Sequence, residues 1–159
     1  MQFLLRLSIS ALLAVMIVSC ASTEKTPVTE TGSEATGAYK YEAWRLDDSG
    51  QFDAIKVLLD EADGLIETSA YDAASDKLER ALRIKPEYAP AWSRLSWLAL
   101  QMDSPKRSVQ MAKRSNSFAY SDTELQLLNW SFIRSASKQL NDEETYNRAS
   151  QKIESLKSL

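Results

Sequence analysis

The chain has 159 residues, a net charge of −3, no histidine and a single cysteine. Without histidine there is no Ser-His or Cys-His catalysis, no histidine-based zinc site, and none of the commonest general base. One thiol forms no internal disulfide and builds no zinc site of its own.

The start of the chain has the three parts of an export signal. Arg6 supplies the positive charge. Residues 7–18 are an apolar run broken only by Ser8 and Ser10, and Ser19 is small. The run falls short of the roughly 20 apolar residues that span a bilayer. It ends in Ile17-Val18-Ser19-Cys20, which resembles the lipobox of bacterial lipoproteins. The resemblance implies cleavage before Cys20 and acylation, palmitate included, of Cys20 as the first mature residue. Each buried acyl CH₂ is worth about 0.8 kcal/mol, so two or three chains make a lasting membrane anchor. Ala21, not Asp, follows the cysteine. In Gram-negative lipoproteins that choice goes with the outer membrane, facing the periplasm.

Residues 21–38 carry no large apolar side chain except Val28. Such a segment cannot bury enough surface to offset its ordering entropy, and reads as a tether. Counted to Ser49, about 29 residues separate lipid from fold, with a typical span of about 30 Å and a stretched reach of roughly 95 Å. Near its end Tyr39, Tyr41 and Trp44 stand in polar surroundings. They are expected either to cap the first helix or to form an aromatic patch for a partner. The resulting organisation is a signal peptide over 1–19, acylated Cys20 and tether over 20–49, and one folded domain over 50–159.

The folded part is all-α in expectation. Only Gly50 and Gly64 follow residue 38, and strong helix formers dominate. Apolar residues recur at helical spacing: Leu58, Ala62, Leu65 and Ile66; Ala74, Leu78, Ala81 and Leu82; Trp92, Leu95, Ala99 and Met102. Lys85-Pro86 ends one helix. Ser104-Pro105 reads as an N-cap with a first-turn proline. Ser121 with Glu124, and Asn141 with Glu144, read as capping boxes. These signals predict six helices over about 51–68, 71–84, 89–102, 105–117, 121–139 and 142–157, packed antiparallel through short connections.

Hairpins about 34 residues apart indicate a repeat. Leu58, Ala62, Leu65, Tyr71, Ala74, Leu78, Ala81 and Pro86 resemble the signature of a tetratricopeptide repeat, with Ser69 at a turn where Asn or Gly is usual. A second unit runs from Trp92, Leu95 and Ser96 to Ala112, with Ser108 and Ser115 at positions where alanine is common. A third rests on Trp130-Ser131-Phe132-Ile133, 35 residues after Leu95-Ser96-Trp97-Leu98, with Ala149 standing for Ala112. The resemblance implies about three stacked repeats, a short α-solenoid that binds a protein in a groove lined by the first helices. Carried over, that groove is Asp63, Ile66, Glu67, Ser93, Trp97, Leu100, Gln101 and Phe132. Trp97 follows the small Ser96. Two places are open to it: an exposed anchor in the groove, or packing on a neighbouring repeat.

Charge is segregated along the chain. Residues 42–76 hold ten acidic residues against Arg45 and Lys56, and residues 77–114 hold nine basic ones against three acidic. Arg80, Arg83, Lys85, Arg94, Lys106, Arg107, Lys113 and Arg114 therefore form an expected basic surface, suited to an acidic protein or an anionic wall polymer. Nucleic acid does not fit an exported lipoprotein. No cofactor, metal or small-molecule substrate is expected, and the chain reads as a non-enzyme. Ser135 to Lys138 has S-x-x-K spacing without the partner motifs of serine acyltransferases. Asp60, Glu61, Asp63 and Glu67 read as a solvated or groove-lining face.

Anchor, tether and repeats together are similar to the lipoprotein activators of bifunctional peptidoglycan synthases, which implies an adaptor facing an inner-membrane partner. Two other readings stay open: a pilotin-like assembly factor for a pilus or secretin, and a direct cell-wall binder.

Overall fold

The computed structural model describes residues 51–120 and 122–158. Within them the chain forms six α-helices and no strand: α1 Gln51–Glu67, α2 Tyr71–Ile84, α3 Ala89–Gln101, α4 Pro105–Asn116, α5 Thr123–Gln139 and α6 Glu143–Lys157. Consecutive helices pack against one another, and α3 also meets α5. The domain is thus a short stack of three antiparallel hairpins, α1–α2, α3–α4 and α5–α6.

The punctuation that separates the helices is partly what the sequence offers. Lys85, held extended ahead of Pro86, stops α2. Ser104 precedes Pro105 at the start of α4, but its hydroxyl bonds the Met102 carbonyl at 3.3 Å and caps no helical N–H. The expected box at Asn141 is corrected. Ser121 lies outside the described residues, and the capping side chains are Asp122, accepting from Leu125 N, and Asp142, accepting from Thr145 N, each at 3.0 Å. Asn141 is unavailable as a cap because it ends the preceding helix with a φ of 54°.

That left-handed residue is one of four among the described residues, the others being Ser69, Asp103 and Tyr120. Ser69, Asp103 and Asn141 occupy the same place in the three hairpin turns, with φ of 59°, 51° and 54°. Each donates its N–H three residues back, to Ile66, Leu100 and Lys138, and the following residue donates five back, to Leu65, Ala99 and Ser137. This is the Schellman pairing, which satisfies carbonyls that a helix end otherwise leaves bare. The same turn therefore closes every hairpin.

Small residues set the helix spacing. Ala62, Ala74, Ala81, Ser96, Ser108, Ala112, Ser115, Ala136 and Ala149 are all fully buried, so backbones approach closely and larger neighbours fill the gaps. Around them Leu59, Leu78, Leu98 and Ile133 form the core, each worth about 1.5–3 kcal/mol on burial. The serines add hydrogen bonds that alanine could not. Ser96 Oγ bonds the Ser108 carbonyl at 2.9 Å, joining α3 to α4. Ser115 Oγ donates to the Ala89 carbonyl at 2.8 Å and accepts from Asn129 Nδ2 at 2.8 Å, joining α4 to the start of α3 and to α5.

Candidate functional site

Two faces of the stack carry the predicted site residues. The first belongs to α1, α3 and α5, the leading helices of the hairpins. Glu67 and Gln101 are exposed there, and Asp63 and Leu100 are half-buried. Ile66, Ser93, Trp97 and Phe132 are buried. Of Trp97's two expected places the structure takes the packed one: it is 2% exposed and meets Tyr71 of the first hairpin edge-on, ring centres 6.0 Å apart.

Asp63 and Arg94 are not separate features of a groove and a basic surface. Arg94 Nε bonds Asp63 Oδ1 at 2.9 Å and Nη2 bonds Oδ2 at 3.1 Å, a two-point pair between α1 and α3. The Arg94 side chain has no solvent exposure, so its assignment to the basic surface is corrected. Its charge is spent holding two hairpins in register. Next to it, burial pushes the Tyr88 phenol above its usual value of 10.0, opposed by the Arg94 charge. The neighbouring carboxylates also have partners: Asp60 pairs with Lys56 at 2.7 Å and Glu61 with Lys77 at 2.6 Å. Among the described residues no cluster of three metal-ligating side chains occurs.

The second face belongs to α2 and α4. Arg80, Arg83, Lys106, Arg107, Lys113 and Arg114 are exposed on these helices, and Lys85 is half-buried just beyond α2. Between α2, α3 and α4 lies an open cleft of about 300 Å³ with a mostly apolar lining. Leu82 and Leu95, both buried, form its floor; Trp92 and Met111 are its half-buried walls. The Trp92 indole is fixed by a 2.8 Å bond from Nε1 to the Pro86 carbonyl. The Arg114 guanidinium stands 5.9 Å from the Trp92 ring centre and 4.6 Å from that of Phe118. Arg107 bridges to Glu79 across the cleft at 3.1 Å. The cleft did not figure among the expected sites. Its sequence signal is the stripe Arg107, Met111, Arg114, at the spacing of one helix face.

A second cleft, of about 460 Å³, opens between α1 and α2, with Val57 and Ile84 beside Glu61, Lys77 and Arg80. No helix among the described residues is long and apolar enough to cross a membrane. Cys20, the tether, and Tyr39, Tyr41 and Trp44 lie outside the described residues. Comparison with protein families, with curated proteins and with solved structures yields no match to this chain.

Proposed function

We propose that the chain is a lipid-anchored adaptor: Cys20 holds it to the outer membrane, and the helical domain, a set of tetratricopeptide-like repeats, binds a protein partner in the periplasm. The observation that carries this reading is the threefold recurrence of one turn. Ser69, Asp103 and Asn141 close three hairpins in the same way. Stacked units of that kind present extended surfaces of fixed curvature and serve to bind rather than to react. The spacing of 34 residues between the first two turns matches the tetratricopeptide period. Partner contact falls to exposed side chains such as Glu67 and Gln101, while Asp63, Arg94 and Trp97 support the scaffold. By its organisation, a peptidoglycan synthase of the inner membrane is the foremost candidate partner.

Crosslinking in intact envelopes tests this. Recovery of one inner-membrane protein with wild type, reduced with Glu67→Lys and Gln101→Glu, is the expected result. Recovery of wall polymer alone would replace the adaptor with a direct wall binder, the reading favoured by the exposed basic side chains Arg80, Arg83, Lys106 and Lys113. Replacing Cys20 with Ala is expected to leave the protein in the soluble fraction or unprocessed. A Cys20→Ala chain still processed and membrane-bound would remove the lipid anchor from the proposal.

A further inference from the structure

The cleft between α2, α3 and α4 lies on the side of the stack that the groove reading does not use. Its chemistry is specific. An apolar floor of Leu82 and Leu95 is open to solvent between Trp92 and Met111. Its volume, about 300 Å³, is at the small end of ligand clefts and accommodates one bulky side chain. Two guanidiniums line it, those of Arg83 and Arg107, against the one carboxylate of Glu79, and that of Arg114 stands over the ring of its Trp92 wall. Glu79 is occupied by Arg107. Arg83 makes no ion pair among the described residues, and Arg114 is held by aromatic faces rather than by a carboxylate. Arg83 is thus available at the rim of an apolar hole, with Arg114 beside its Trp92 wall. Tryptophan and arginine are among the side chains that most often anchor a protein contact, and methionine adapts to varied partners.

We propose that this cleft docks an acidic peptide segment of a partner protein, one apolar side chain entering between Trp92 and Met111 while flanking carboxylates meet Arg83 and Arg114. Charge complementarity selects this occupant: a basic or neutral segment would leave both guanidiniums facing solvent without gain, and a purely anionic polymer would leave the apolar floor uncovered. The inference rests on the reading of the chain as a binding module. It does not rest on the face formed by α1, α3 and α5.

The test uses the full-length chain in detergent and a fluorescent peptide of alternating Glu and Asp around one central Leu, followed by anisotropy. The wild-type protein is expected to bind it. Arg83→Glu and Arg114→Glu are each expected to weaken binding about tenfold or more, as reversal of a charge in a partly dried contact does. Lys152→Glu, the same charge change on the exposed side of α6, is expected to leave binding unchanged. Replacing the central Leu by Ser should lose a similar factor, and salt at about 0.5 M should weaken but not abolish the complex. Equal affinity for the Ser peptide, or equal displacement by polyglutamate or phosphatidylglycerol vesicles, would show a general anion surface and overturn the proposal. So would indifference to Arg83→Glu and Arg114→Glu. If the peptide fails to bind while envelope crosslinking still recovers a protein partner, the cleft is refuted and the adaptor stands; failure of both removes the adaptor itself.

Discussion

The third helix and the sixth are built from similar numbers of residues and behave as opposites. In α3 every residue from Ala89 to Ala99 except Trp92 is buried; in α6 only Ala149 and Ile153 are. The difference follows from position in the stack. Helix α3 is packed by α2, α4 and α5, whereas α6 meets α5. In a stacked array each unit is stabilised by its own hairpin and by its neighbours, so the middle is held from both sides and the end from one. The comparison teaches that sites on α3 report on the whole fold, while sites on α6 report on one hairpin.

The comparison breaks most sharply at Arg94. Removing one partner of a buried ion pair leaves the other charged and unpaired, which costs about 3–5 kcal/mol. Arg94→Ala is therefore expected to lower the chemical-denaturation midpoint of the whole domain. A cost under about 1 kcal/mol, the range of exposed pairs, would mean that the Asp63 contact does not hold the hairpins together. Next in size is a matched pair of truncations. Leu98→Ala, in α3, is expected to cost about 2–5 kcal/mol of global stability. Ile153→Ala, in α6, is expected to open α5–α6 locally. Hydrogen exchange resolves the two: faster exchange throughout with the first, and confined to the last hairpin with the second. Uniform loss in both cases would make the domain a single cooperative unit. A smaller effect of opposite sign is expected at the first turn. Ser69→Gly relieves a left-handed backbone at some entropic cost, for a net gain of a few tenths to about 1 kcal/mol in a thermal melt. The smallest effect belongs to the cap of α6. The Thr145 hydroxyl, and then its N–H, bonded to Asp142, hold that carboxyl below its ordinary value of 3.8. A depressed folded value means the cap is complete above the unfolded pKa and fades as pH falls through the folded one. Exchange of the first α6 amides should rise there, and Asp142→Ala should abolish that pH dependence.

Helix positions were legible to within two residues from proline, glycine scarcity and apolar spacing, because those are local properties. The buried pairings were not. Asp63 and Arg94 are 31 residues apart, and each reads alone as a charge on a solvated face; only the stacking of α1 on α3 brings them together. The choice between the two places open to Trp97 was not legible for a related reason. Its position beside Ser96 places it off the hairpin partner, but the space it enters is supplied by Tyr71 of the preceding hairpin. The α6 cap moved by one residue because Asn141 was needed for the left-handed turn, a competition that a four-residue motif does not express. The serines at 108 and 115 look in sequence like a decayed repeat. In the fold they are small enough to pack and also carry the bonds between helices.

The two ends of the described domain are finished differently. The outer side of α6 is Asn147, Arg148, Gln151, Lys152 and Glu154, all exposed, with Arg148 tied to Glu144 at 2.6 Å. At the other end α1 and α2 expose Val57 and Ile84. A head-to-tail contact between identical molecules needs both ends to be adhesive, and repetition of such a contact produces filaments. The hydrated outer side of α6 offers no apolar counterpart to Val57 and Ile84, so these two surfaces are not complementary to one another in the way such a contact requires.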